Sequence, residues 1–353
     1  MHRPATLVGW DIGGAHLKAA RIDNGRLRAV VEKPCPLWQG MDHLARACDE
    51  ILATLPEEPV LHAVTMTGEM ADLFPDRRSG VEHIVACLAE RIGARRRDIL
   101  HFYAGKDGFV DVAASLQAAA AIASANWLAT TACCAASAGE GILIDIGSTT
   151  TDIIPFASGQ PCSLGRDDAE RLQSGELVYV GVVRTPLMAL ASRAPLAGAW
   201  RGTMNEHFAT SADVFRLLGV LDEGTDLYPA ADSGPKSAEG SARRLLRMLG
   251  ADLTPANGDG VTSLARWYRE RLLQKIGTAL AQVISRGQVT AQAPLVGAGI
   301  GRFLVPDLAT RWQRSYRDCA ELLCPGTDDP ALRAWAGHCA PAVAVARLAS
   351  LTA

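Results

Sequence analysis

The chain of 353 residues lacks a surplus of either charge: 35 Lys and Arg stand against 38 Asp and Glu, a formal net charge of −3. No overall electrostatic pull toward nucleic acid or an anionic membrane follows from that balance, so neither is expected as a partner. The nine cysteines, at 35, 48, 87, 133, 134, 162, 319, 324 and 339, contain no Cys-x-x-Cys pair and form no Cys/His cluster, which argues against zinc-ribbon and dithiol redox motifs. An odd number in a long chain suits reduced cytoplasmic thiols. An apolar leader is also missing: Met1–Thr6 carries His2 and Arg3 and runs straight into a strand pattern containing Asp11, so a cytoplasmic protein is expected. Charge is absent from Val112–Gly139, a length that meets the bilayer criterion of about 20 residues. Its alanines, with Ser115, Gln117, Ser124, Asn126, Thr130, Thr131 and Ser137, suit buried small-residue helices, whereas a lipid-facing span favours Leu, Ile, Phe and Val.

What remains is an ordinary globular composition, 48% hydrophobic and 21% charged, which excludes collagen-like, disordered and disulfide-miniprotein classes. At about 150 residues per domain the length accommodates two or three lobes or one bilobal unit. The opening reads as a meander: Leu7–Asp11, a Gly13-Gly14 turn, His16–Ile22, the hairpin signal Asp23-Asn24-Gly25, and Leu27–Glu32. Helix is expected over Met41–Leu55 and Val81–Ile92, the latter ending in the solvated cluster Arg95-Arg96-Arg97, with strands at Val60–Thr65 and Ile99–Tyr103. Further helices are expected at Met204–Leu218, Ser241–Leu249, Thr262–Ser285 and Ala331–Leu351, and Pro294–Gly301 reads as a buried strand feeding a glycine turn. Alternating strands and helices indicate an α/β protein.

An internal echo organises the rest. Gly9-Trp10-Asp11-Ile12-Gly13-Gly14 is matched by Ile144-Asp145-Ile146-Gly147-Ser148, the aspartates 134 residues apart, and each is followed by a second strand and a tight turn. This predicts a first lobe over 1–140 and a second over 141–353, with a helical, loop-rich insertion at about 200–260. A carboxylate at a strand mouth followed by residues without bulky side chains lets backbone N–H groups approach an anionic oxygen while Asp holds hydrated Mg²⁺ or water. Alone, Asp11-Ile12-Gly13-Gly14 also describes a simple turn. The second copy adds the hydroxyls of Ser148, Thr149, Thr150 and Thr151, which can donate to phosphate oxygens. Gly297-Ala298-Gly299-Ile300-Gly301 lacks the spacing of a complete dinucleotide fingerprint, yet suits the wall of a nucleotide or diphosphate cleft.

Taken in order, these three segments resemble the phosphate and adenosine motifs of the acetate/sugar kinase, heat-shock-70 and actin superfamily. The stretches Gly9–Ala15, Thr65–Asp72, Ala125–Thr130 and Gly181–Pro186 resemble its hydantoinase A/oxoprolinase-like branch, and most narrowly the proteins of tetrahydromethanopterin-linked one-carbon metabolism related to the methanofuran-biosynthesis enzyme. The resemblance implies a bilobal, actin-like (ribonuclease H-like) fold with two similar mixed-sheet lobes and a cleft between them. It also implies a transferase that joins an aminomethylfuranyl-methyl diphosphate to a tyramine- or tyrosine-type phenol and releases diphosphate. A furfuryl cation is stabilised by its ring oxygen, so the leaving group is what needs help, from Mg²⁺ and N–H donors. Under this resemblance Asp11 and Asp145 position Mg²⁺. Gly13, Gly14, Lys18, Gly147, Ser148, Thr149, Thr150 and Arg184 hold the diphosphate, while Gly297, Gly299 and Gly301 shape the wall. Glu69 and Asp152 are the candidate bases for a phenol of pKa near 10; Glu69 also fits a helix cap after Thr67, and Asp152 an ordinary polar hairpin. An ATP-dependent kinase or hydantoinase-like hydrolase is the alternative, with ATP as its cofactor. A homo-oligomer is left open. His16, His62, His83 and His338 have no metal-spaced partners, and Cys133-Cys134 read as inert.

Overall fold

Strand β1, Thr6–Ile12, is buried at every position because it is paired on both edges, antiparallel to β2 (His16–Asp23) and parallel to β4 (Val60–Met66). The computed structural model describes residues 4–95 and 97–352; Met1–Arg3 and Arg96 of the arginine cluster lie outside the described residues. With β3 (Arg26–Pro34), β5 (Ile99–Tyr103) and β6 (Phe109–Asp111), the first sheet has the order β3-β2-β1-β4-β5-β6. One face is filled by Val8, Trp10 and Ile12 packing with residues of α1 (Asp42–Leu52) and α2 (Arg77–Gly93). Helix α2 begins a turn before the expected Val81, because the Asp76 carboxylate caps it by accepting the Ser79 N–H at 2.8 Å. Val112–Gly139 forms three helices, α3 (Val112–Ser115), α4 (Ala119–Ile122) and α5 (Asn126–Ala138). Among the described residues no helix is long and apolar enough to cross a membrane.

The second sheet repeats the pattern. Strands β7 (Gly141–Ile146), β8 (Thr151–Ala157) and β9 (Gln160–Pro161) form the hairpin set. Short β10 (Leu177–Val178) follows α6 (Asp168–Ser174) and pairs with β8. Between β10 and the next strand of the sheet lie the hairpin β11–β12 (Arg193–Leu196, Ala199–Gly202) and α7 (Ser211–Leu217), α8 (Ala238–Arg247) and α9 (Pro255–Ile284), a stretch wider than the 200–260 expected for a helical insertion. Helix α7 does not start at Met204 as expected. Thr210 is extended and bridged to Pro186, and Asp213 accepts the Thr210 N–H at 3.1 Å, so a capping box fixes the start at Ser211. Strand β13 (Leu295–Ala298) pairs parallel to β7, followed by α10 (Val305–Arg311) and β14 (Tyr316–Asp318). The order β10-β8-β7-β13-β14, with β9 also on β8, matches the hairpin-then-parallel order of the first sheet. Two mixed sheets of this order make an actin-like, ribonuclease H-like α/β fold.

The chain closes with α11 (Cys319–Leu323), α12 (Pro330–His338) and α13 (Ala340–Thr352). One helix was expected over Ala331–Leu351. Pro341 interrupts it, since proline has no N–H to donate and its ring crowds the preceding turn. The chain divides into two units, one comprising the residues up to Gly141 with Phe156–Cys162 and Arg317–Ala353, the other Ile142–Pro155 and Ser163–Tyr316. The final stretch therefore belongs with the first unit and not with a second lobe running to residue 353. Its reason is a small-residue contact: α13 lies against β1, where a Cβ on Gly9 would come within 2.0 Å of the Ala342 carbonyl and 2.8 Å of Ala346 Cβ.

A buried polar chain ties the first sheet together. Trp10 Nε1–H donates to His62 Nδ1 at 3.0 Å, and His62 Nε2 lies 3.1 Å from Asp98 Oδ2. The tryptophan can only donate, so the ring is the Nε2–H tautomer with its second bond to Asp98. Burial holds His62 below the usual imidazole value despite the carboxylate.

Two predictions follow from this packing. Gly9→Ala is expected to lower stability in urea denaturation by about 1–3 kcal/mol. Gly14→Ala, with no atom within 4 Å of the new Cβ, stays within about 0.5 kcal/mol of wild type. Because the folded His62 pKa lies below its unfolded value of about 6.5, the unfolded state binds more protons. The stability contributed by the neutral ring is complete above that pH and is lost as pH falls below it. The urea midpoint should therefore drop more steeply between pH 7 and 5 in wild type than in His62→Gln.

Candidate functional site

In the second unit the bend after β7 is closed by the Gly147 N–H donating to the Thr150 carbonyl at 2.9 Å. Its outer carbonyls are used as well: Gly147 O accepts from Val182 N at 3.0 Å, and Ser148 O from Val183 N at 3.1 Å and Arg184 N at 2.9 Å. This approach requires Gly181, whose Cβ would fall 2.5 Å from Gly147 O. The glycine turn after β13 meets the same strand end. Ala298 is in register with Asp145, the Gly301 N–H donates to Ile146 O at 2.8 Å, and Gly299 has φ +79°. A Cβ on Gly299 would lie 2.4 Å from Asp145 Oδ1. Asp145, 8% exposed, is thus walled by backbone and glycine.

The structure therefore brings together Asp145, Gly147, Ser148, Gly299, Gly301 and the Arg184 backbone. Gly297 lies one step back on β13, where a Cβ would meet the Tyr316 ring. Ser148 Oγ is shielded from solvent without a hydrogen-bond partner, and Thr149 and Thr150 are half-buried beside it. Thr151 is turned inward and donates to Val180 O at 2.8 Å. The Arg184 side chain is exposed; its backbone is what meets the bend. Asp152 is engaged by the buried guanidinium of Arg171, so this carboxylate serves an ion pair and is a poor candidate base.

The first unit repeats the bend, with the Gly13 N–H donating to the His16 carbonyl at 2.9 Å. The register sets Asp11 beside Lys18 on β2 and Thr65 on β4, and Lys18 beside Glu32 on β3. Lys18 Nζ lies 3.9 Å from both Asp11 Oδ2 and Glu32 Oε1, and His16 Nδ1 is 3.9 Å from the same Glu32 oxygen. Lys18 is shared between two carboxylates in addition to facing the bend. Glu32, with a side chain 4% exposed, was not singled out in the sequence. Burial raises its pKa most, Lys18 opposes that, and Asp11 adds to it.

Glu69 reaches the same end of the sheet on the turn Gly68–Met70. The Thr67 N–H donates to Ile12 O at 2.9 Å, and a Cβ on Gly68 would sit 3.1 Å from Ile12 O and 3.2 Å from Gly13 O. Thr67 makes no side-chain cap there. Glu69 is 1% exposed and accepts from Ser124 Oγ at 2.7 Å. Among the described residues no three His, Cys, Asp or Glu side chains gather as a metal-binding group. None of the nine cysteines is in a disulfide, and burial pushes the Cys133 thiol up to about 12, which leaves it unreactive.

The hydantoinase/oxoprolinase family pattern matches residues 61–317. The chain belongs to that family. The matched segment contains Glu69, the second bend and the glycine turn, and begins after Asp11 and Gly13. Within curated relatives the chain is 28% identical over 310 residues to (4-{4-[2-(gamma-L-glutamylamino)ethyl]phenoxymethyl}furan-2-yl)methanamine synthase of Methanocaldococcus jannaschii, covering 85% of this chain and 88% of that one. It is 30% identical over 174 residues to the protein of the same name from Methanococcus vannielii, covering 49% and 77%. Among solved structures, nucleotide-free acetone carboxylase is similar with a TM-score of 0.49 and 10% identity, over 83% of this chain and 65% of that one.

The glycine turn yields a direct test. Gly299→Ala forces an L side chain into a left-handed conformation against Asp145 Oδ1, and is expected to cost at least about 1 kcal/mol in thermal unfolding. Gly147→Ala, whose Cβ would meet only Thr150 O at 3.4 Å, should unfold close to wild type.

Proposed function

We propose that this protein is a transferase of furan-cofactor biosynthesis for one-carbon metabolism. It joins an aminomethylfuranyl-methyl diphosphate to a tyramine- or tyrosine-type phenol as an aryl ether and releases diphosphate. The observation that carries the proposal is the relation to the M. jannaschii synthase over 85% of this chain. The product in that enzyme's name is a phenoxymethyl furan, which contains the aryl ether that such a transfer forms. The reaction needs a leaving group held and a phenol deprotonated, and the geometry supplies candidates for both.

In this reading Ser148, Thr149 and Thr150 hold the diphosphate through hydroxyl and backbone N–H donors, the Gly147 N–H being already used to close the bend. Donors fixed before the reaction stabilise charge as it develops, without reorganising. Glu69 accepts the phenol proton. A hydrated Mg²⁺, which takes one or two carboxylates and keeps water and phosphate oxygens as its other ligands, fits a buried carboxylate against a glycine wall. Asp145 is the residue that would hold it; when bound, the ion would neutralise the departing diphosphate. Small molecules in the cytoplasm are the substrates.

A kinase or hydrolase using ATP is the second reading, favoured by the family match and the fold. Purified protein with Mg²⁺, the furanylmethyl diphosphate and a tyramine-containing acceptor is expected to release diphosphate and form the aryl ether, followed by mass spectrometry. Acceptor-stimulated ADP formation from ATP without ether would decide for the second reading. Asp145→Asn should lower turnover by about 10²-fold or more while its unfolding stays cooperative.

A further inference from the structure

Ser124 is one of six described residues other than glycine with positive φ, at +52°. Serine is costly in this left-handed region, where glycine and asparagine are at ease. It lies just before α5, is 6% exposed, and its hydroxyl does two things: it donates to Glu69 Oε1 at 2.7 Å and lies 3.7 Å from the Met70 sulfur. The turn that carries Glu69 is itself fixed, since Gly80 of α2 comes so close that a Cβ would fall 2.4 Å from Glu69 O. Backbone strain is thus spent on aiming one hydroxyl at one carboxylate, 55 residues away in sequence. That carboxylate sits on the turn packed against the Gly13 bend, next in sequence to the half-exposed Met70. Strain kept at such a place is a signature of a functional arrangement.

We propose that Ser124 is a positioning residue: its hydroxyl holds the Glu69 carboxylate in the orientation that takes the proton of the phenolic acceptor. The proton passes from the phenol oxygen to Glu69. The phenolate oxygen bonds to the furanylmethyl carbon, and the carbon–oxygen bond to diphosphate breaks with its electron pair leaving on the diphosphate. The inference rests on the transferase reading and adds the residue that orients its base.

The experiment compares wild type, Ser124→Gly, Ser124→Asn and Glu69→Gln, each by urea denaturation and by steady-state release of diphosphate from the furanylmethyl diphosphate with a tyramine-containing acceptor. Glycine relieves the left-handed backbone and removes the donor, so Ser124→Gly should unfold at or above the wild-type midpoint while kcat falls on the order of 10–10²-fold. KM for the diphosphate substrate should be unchanged. Asparagine tolerates the backbone and restores a donor, so Ser124→Asn should recover part of the loss, and Glu69→Gln should lose at least as much as Ser124→Gly. Wild-type kcat in Ser124→Gly or Glu69→Gln overturns the positioning role while leaving the transferase standing. Loss of stability in Ser124→Gly parallel to its loss of activity also overturns it, in favour of a purely structural bond. A wild-type enzyme that releases no diphosphate removes the transferase reading and this inference with it.

Discussion

One backbone hydrogen bond, made twice, governs the architecture. In each unit an Asp-Ile-Gly sequence ends a buried strand and the glycine N–H closes onto the carbonyl three residues on, at His16 in one case and Thr150 in the other, both at 2.9 Å. A Cβ would stand 2.9 Å from the acceptor at Gly13, where it forces a shift, and 3.4 Å from it at Gly147, an ordinary contact. The aspartate one turn earlier is then held at the strand end, and whatever packs beneath must itself be small. Gly68 under the first bend and Gly181 and Gly299 against the second meet that demand with backbone, where any side chain would push the bend out of place. The two bends are thus fixed by the fold, with the Gly13 and Gly147 N–H groups bonded within them.

Much of this was legible because it is local. An Asp-Ile-Gly sequence between two β-rich runs states both the strand end and the turn, and its recurrence 134 residues later states the duplication. Glu32 was not legible, for a reason that can be located. Counting back from the Asn24-Gly25 turn pairs Asp23 with Arg26 and would set Val31 opposite Lys18, but a bulge after Ile22–Leu27 takes up Arg28 and shifts the register by one. That single residue turns Glu32 onto the Asp11 face. Ser124 was hidden because a left-handed serine has no sequence mark, and the return of α13 to Gly9 because small residues in a helix do not say which strand they meet. The helix expected from Met204 starts only at Ser211 because the Thr210–Asp213 capping box fixes its first turn, and the one expected from Ala331 is divided beside Pro341.

The two bends share a backbone and differ in charge. Lys18 stands seven residues after Asp11, and the residue seven after Asp145 is Asp152. In the first hairpin the strand supplies the cation and β3 answers with Glu32; in the second the strand supplies the carboxylate and α6 answers with Arg171. Each pairing keeps a buried charge compensated, as burial requires, by opposite means.

That inversion sets a cation beside Asp11. An ion brought to Asp11 meets the Lys18 ammonium already 3.9 Å from the carboxylate. Like charges about 4 Å apart at an effective dielectric of 20 repel by about 4 kcal/mol per unit charge, so the lysine opposes direct coordination there and favours an intervening water or an anion. At Asp145 the wall is glycine and backbone, with Gly299 close against the carboxylate and the Ile146 carbonyl, and Arg302 of the same turn donates to Gly299 O at 3.2 Å. The repeated backbone thus provides the same bend twice, and the side chains set around each copy give it a different charge environment.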